Sequence, residues 1–130
     1  MLKLLCKVCL IVVILYFTGD TGYSPTFKEV YKRFGSIDVL MADTVQYNKA
    51  WPGVHMNPFD ALKAAADVSA KHYMPIHWGT FVLSNHKWFE PAEETTKNQQ
   101  DYGVRVVTPR IGETFDINDI GDYNNRWWKN

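Results

Sequence analysis

Apolar and polar positions fall into blocks of different period along this chain of 130 residues. From Val8 to Phe17 the run is almost wholly apolar, rich in Val, Ile and Cys, and it passes straight into Thr18-Gly19-Asp20. A short continuous run of this kind predicts a strand buried on both faces that ends at a loop. Lysines at positions 3 and 7 open a second reading, a signal or membrane anchor over 1–17. Two features oppose it: no small-residue cleavage site follows, and the ten residues from Val8 to Phe17 are too few to cross a bilayer.

Beyond Gly22 the period becomes helical. Ser24 is the expected cap and Pro25 the first turn of a helix in which Phe27, Val30, Tyr31 and Phe34 share one face, with Gly35 as its stop. Ile37 to Ala42 predicts a second buried strand. Asp43 to Met56 has no period and contains Pro52 and Gly53, so an irregular loop is expected there, delivering His55. Asn57-Pro58 with Asp60 reads as a helix start. That helix is predicted to run to about Lys71, with Leu62, Ala65, Ala66 and Ser69 as a small-residue face. Tyr73 to Ile76 predicts a third strand ending at His77-Trp78-Gly79. Glu90-Pro91 opens a polar helix stopped at Gly103, Val104 to Thr108 predicts a fourth strand, and Glu113 to Ile117 a further one. Strands alternating with helices imply an α/β architecture with a largely parallel sheet.

Composition narrows this picture. With 46% hydrophobic and 22% charged residues the chain has material for one modest core. Fourteen basic residues balance fourteen acidic ones, so no bulk charge is present to hold a polyanion, which argues against nucleic acid as a partner. Cys6 and Cys9 lie too close together in an apolar run for an easy disulfide and read as buried free thiols.

Three polar residues stand where an open α/β sheet places chemistry, at or after the carboxyl ends of its strands: Asp20, His55 and His77. Each has a structural alternative. Asp20 could cap the following helix, and a single histidine such as His77 could be a hydrogen-bonded core residue. Together a carboxylate and two imidazoles form a donor set suited to zinc. His72, beside Lys71 at the expected helix end, reads as a surface cation on the helix dipole, and His86 in a polar loop as non-catalytic. Trp78, Phe81, Trp88 and Phe89 read as core packing or as the lining of an acyl-chain groove.

The order Phe17-Thr-Gly-Asp-Thr-Gly-Tyr23, Arg33-Phe34-Gly35, Val54-His55-Met56-Asn57-Pro58 and Ile76-His77-Trp78-Gly79-Thr80-Phe81 resembles the second half of the N-acylphosphatidylethanolamine-hydrolysing phospholipases D and their bacterial relatives, a branch of the metallo-β-lactamase superfamily. The resemblance covers roughly residues 16–113 and implies the C-terminal half of a metallo-β-lactamase αββα sandwich, with 1–117 as a partial domain and 118–130 as a C-terminal tail. It also implies two zinc ions at the sheet edge. Asp20 would be the carboxylate bridging them, His77 a ligand of the second, and His55 a catalytic histidine that contacts the scissile phosphate or assists proton transfer. Manganese or iron would suit the same donors. Asp43 departs from the pattern of small residues leading to a tyrosine that relatives carry there.

The superfamily's first metal motif, His-x-His-x-Asp-His, does not occur, and no histidine precedes His55. The expectation is therefore a fragment of a zinc phosphodiesterase acting on a phospholipid or other phosphodiester, with weak metal affinity alone. It would be completed by an amino-terminal half or a homodimer, in the cytoplasm or at a membrane. The alternatives are a non-catalytic binding or dimerisation module of the same fold, and a small membrane-anchored protein.

Overall fold

A computed structural model describes residues 12–44, 47–51, 53–82, 84–117, 120, 123 and 126–129. The expected thiols, Cys6 and Cys9, and most of the proposed signal segment lie outside the described residues. Four strands, β1 (Leu15–Phe17), β2 (Val39–Asp43), β3 (His72–Ile76) and β4 (Arg105–Val106), form one sheet in sequential order. Every neighbouring pair is parallel, with Leu15 opposite Val39, Val39 opposite His72, and His72 opposite Arg105. The connections carry helices α1 (Thr26–Phe34), α2 (Pro58–Asp67) and α3 (Glu90–Asn98). Right-handed crossovers that always step to the next strand lay their helices on one face of a sheet.

That face holds the main core. Leu40, Ala42 and Tyr73 project from the strands onto Phe27 of α1 and onto Ala61, Leu62, Ala64 and Ala65 of α2, all buried. The alanines let α2 approach the sheet closely, and complete burial of Leu40 or Leu62 contributes about 2 kcal/mol each. Asn57 starts α2 as expected, its side-chain oxygen accepting from the amides of Phe59 and Asp60 at 2.9 Å.

The opposite face is only partly covered. Val39, Met41, Met74 and Val107 meet Phe115, Ile117, Ile120 and Tyr123, whereas Leu15 and Phe17 of β1 are 53% and 62% exposed. Glu113 to Ile117 is thus no strand: it turns through reciprocal contacts between Arg110 and Glu113, and its apolar residues serve as a cover for the sheet.

Other boundaries shift for identifiable reasons. Ser24 makes no side-chain cap; α1 is entered at Pro25 through backbone bonds, and of its expected apolar face only Phe27 is buried, with Tyr31 and Phe34 exposed. Helix α2 stops at Asp67, short of Lys71. Ala70 N–H donates to Ala65 O and Ser69 N–H to Ala66 O, both at 2.9 Å, with Ser69 at φ +48°. These are the bonds of a Schellman motif, made here without the usual glycine, and Ser69 consequently faces solvent. The polar helix ends in a 3-10 turn, Gln99–Tyr102, and Gly103 at φ +63° releases the chain into β4. No helix among the described residues is long and apolar enough to cross a membrane.

Candidate functional site

Because the strands are parallel, their carboxyl ends line one edge, and the first three each feed a polar residue into it. β1 runs through Gly19 at φ +61° to Asp20, β2 ends in Asp43, and β3 runs directly into His77. His55 arrives from the loop between β2 and α2. The structure brings these four together. Asp20 Oδ1 lies 3.8 Å from His77 Nε2, the rings of His77 and His55 meet edge to face with centroids 5.3 Å apart, and His55 Nδ1 lies 2.5 Å from Asp43 Oδ2.

Exposure falls steadily along this row, with side chains 72% exposed at Asp20, 37% at His77, 14% at His55 and 0% at Asp43. The outer pair is open to a ligand and the inner pair is held by the protein. His77 adopts φ +64°, the left-handed region that a residue with a Cβ enters at a cost of about 1 kcal/mol or more. Strain of this kind at a strand end is a hallmark of residues placed for function.

The loops are locked to each other. Thr18 Oγ1 accepts from the Asp43 amide at 3.3 Å and donates to Gly19 O at 2.8 Å, joining the ends of β1 and β2. Tyr23 donates from its hydroxyl to Asp67 Oδ2 at 2.5 Å and stacks on Phe27, which pins the loop after Asp20 onto α1 and α2.

Beside His55 opens a cleft of about 620 Å³, lined also by Tyr47, Asn48, Phe59, Asp60, Glu90 and Glu94. Burial and the Glu90 carboxylate, to which its hydroxyl donates, push the Tyr47 phenol far above its ordinary range and keep it neutral. His86 stacks on Tyr47 at 4.3 Å, a packing role. His72 is not at a helix end but opens β3. Burial lowers its pKa against the opposing pull of the Asp38 carbonyl, so it is no dipole-bound cation. Trp78 stacks against Trp88 and Trp127 and donates to Pro75 O at 2.8 Å, while Phe81 is 68% exposed.

The structure brings Asp20, His55 and His77, the residues singled out by the sequence, to one edge, and adds Asp43, which the sequence reading did not place beside His55. The available signal was an acidic residue closing an otherwise apolar strand, a placement tolerated only where the carboxylate has partners.

A family model described as the beta-lactamase superfamily domain matches residues 11–78, just over half of the chain. The chain belongs to this family. Over 104 residues it is 38% identical to an uncharacterized protein of Mycobacterium tuberculosis, a match that covers 78% of this chain and 28% of that protein. Over 107 residues it is 35% identical to the mitochondrial N-acyl-phosphatidylethanolamine-hydrolyzing phospholipase D of Saccharomyces cerevisiae, covering 78% of this chain and 23% of the yeast protein. It thus spans about a quarter of the length of these relatives. Igni18, a metallo hydrolase from Ignicoccus hospitalis, superposes with a TM-score of 0.63 at 19% identity over 78% of this chain and 40% of its own, a likeness of fold. As a member of the superfamily the chain carries an α/β fold with a parallel sheet and three described α-helices, which matches part of the fold of Igni18.

Proposed function

We propose that this chain supplies the second half of a zinc-dependent phosphodiesterase of the N-acylphosphatidylethanolamine phospholipase D type. The observation that carries the reading is the approach of Asp20 and His77 at neighbouring strand ends, with His55 beside them. A tetrahedral zinc bound to one oxygen and one nitrogen sets them about 3.3 Å apart. The 3.8 Å between Asp20 Oδ1 and His77 Nε2 is therefore within a few tenths of an ångström of bracketing one ion.

The donor set fits zinc in kind and is incomplete in number. Among the described residues no group of three or more His, Cys, Asp and Glu stands where it could hold a metal, and a zinc ion takes about four ligands. The remaining ligands would come from a His-x-His-x-Asp-His segment in the other half of the fold. The exposed apolar strip of Leu15 and Phe17 on β1 supports such docking, since it is the uncovered part of a sheet face that otherwise packs.

In the assembled site Asp20 would be the carboxylate shared by both metals and His77 a ligand of the second. Bound zinc polarises a phosphodiester and yields hydroxide near neutral pH. His55 stands at the boundary between this edge and the cleft, placed beside a scissile phosphate where it would accept a proton from a reacting hydroxyl and pass it to the leaving alkoxide. The cleft has the volume of a small-molecule site, with room for a lipid head group.

The test is to purify the chain alone and mixed with a chain bearing the His-x-His-x-Asp-His segment of a relative, then measure bound metal and hydrolysis of N-acylphosphatidylethanolamine. Stoichiometric zinc and hydrolysis only in the mixture are expected, both lost with Asp20→Ala. A mixture that associates, binds zinc and leaves every phosphodiester intact refutes the phosphodiesterase reading; one that takes up no zinc refutes the metal site.

A further inference from the structure

We infer that Asp43 is a positioning residue for His55: its carboxylate fixes the imidazole in the tautomer with hydrogen on Nδ1, leaving Nε2 as the nitrogen that meets a ligand. The two atoms are 2.5 Å apart and the Asp43 side chain is fully buried. A carboxylate accepts and does not donate, so the hydrogen between them belongs to Nδ1, and an imidazole that donates from Nδ1 as a neutral ring is an acceptor at Nε2.

The carboxylate is itself held rigidly. Asp43 is the last residue of β2, in register with Ile76 of β3, and its amide donates to Thr18 Oγ1. His55 is only 14% exposed and its ring is braced edge-on by His77, so it has little freedom to turn its other nitrogen toward Asp43. An aspartate that merely filled space would not select between the two ring nitrogens. This one selects, because a charge-assisted hydrogen bond in a water-excluded position favours one tautomer about tenfold or more.

What the tautomer does for catalysis rests on the proposed hydrolase role; the tautomer itself does not. With Nε2 unprotonated, His55 accepts a hydrogen from water or an alcohol, and after accepting it can return that hydrogen to a leaving oxygen. The opposite tautomer offers the ligand a donor and cannot begin as an acceptor.

The experiment is long-range proton–nitrogen correlation NMR on the full chain labelled with ¹⁵N-histidine, at alkaline pH where free imidazoles are neutral, with His55→Gln identifying the His55 signals. The expected result is a His55 spectrum dominated by the Nδ1–H form. Asp43→Asn, whose amide can donate as well as accept, is expected to raise the Nε2–H form about tenfold in a chain with unchanged amide dispersion. A wild-type His55 already in the Nε2–H form overturns the inference, as does an Asn variant that folds and keeps the wild-type ratio. Should Asp43→Asn not fold, the wild-type spectrum decides by itself. Because no zinc, substrate or second chain is used, failure here leaves the proposed function standing, and failure of that function leaves the tautomer standing.

Discussion

Gly22 lies so close to the backbone of Gly53 that a Cβ on residue 22 would stand 2.2 Å from the Gly53 carbonyl oxygen. The contact joins the loop that carries Asp20 to the loop that carries His55, two segments more than thirty residues apart in sequence. Neither loop has a ladder of its own to set its position, so their backbones fix each other. Glycine at position 22 is needed for space, whereas Gly53, at φ +86° with open room around its missing Cβ, is needed for conformation.

Gly22→Ala is accordingly expected to displace the segment around Gly53 and to cost about 1–3 kcal/mol, the range for a buried overpacking. Urea unfolding of the two chains measures it. A second readout is the His55 signals in NMR, which should move in Gly22→Ala while those of His72 on β3 stay in place. An alanine chain of wild-type stability and spectrum would mean that the two loops are not in contact in solution.

The buried carboxylate of Asp43 makes His55 structural as well as chemical. Removing the imidazole takes a hydrogen-bond donor from a carboxylate at a fully buried position, and leaving a buried acceptor short of a partner costs about 1–3 kcal/mol, more when it is charged. His55→Ala is therefore expected to destabilise by roughly 2–4 kcal/mol, the lower bound allowing for the remaining contacts of Asp43. The double variant His55→Ala with Asp43→Ala should recover part of that loss, read from a denaturant double-mutant cycle. Additive costs would mean that the pair is not coupled.

Most of the scaffold was legible because its signals are local. The apolar block of β2, the Asn57-Pro58 start of α2 and the strand before His77 each declare themselves within a few residues. Where the reading failed, a non-local or substituted signal was responsible. Ser69 ends α2 in a conformation that glycine normally marks, Glu113 to Ile117 gained its apolar residues for covering the sheet and not for joining it, and His72 was assigned to a helix that had already ended. The outer members of the row, Asp20 and His77, follow strands and so stand out in the sequence; the burial of Asp43 against His55 depends on where an irregular loop returns, which no periodicity encodes.

The uncovered strip on β1 separates two kinds of apolar residue. Leu40, fully buried between sheet and helices, should cost about 3 kcal/mol or more as Leu40→Ala. Phe17, 62% exposed, should cost no more than about 0.5 kcal/mol as Phe17→Thr in the isolated chain. Thermal melts compare the two. A large loss for Phe17→Thr that grows with protein concentration would mean that copies of the chain already cover this face for one another.

The Glu93 carboxylate is one anchor of the Trp127–Lys129 turn, beside the bond from Trp127 Nε1 to Thr108 O at 3.2 Å and the stacking of Trp127 on Trp78. Glu93 of α3 accepts from Lys129 Nζ at 2.8 Å and from Trp128 Nε1 at 3.2 Å, and these two bonds, the lysine first, hold its pKa below the ordinary glutamate range against the opposing effect of burial. A folded-state pKa that is depressed contributes stability above the unfolded value and loses it as pH falls through the folded one. The docking of Trp127–Lys129 is thus expected to be intact at neutral pH and to loosen only at pH values below the normal glutamate titration. Tryptophan fluorescence and near-ultraviolet dichroism follow it directly, since buried Trp128 lies edge-on to Trp78. Glu93→Gln keeps an acceptor for the indole but gives up the charge. It should show the loosened spectrum already at neutral pH and no acid step of its own; a variant that retains the wild-type acid transition would assign that transition to a different carboxylate.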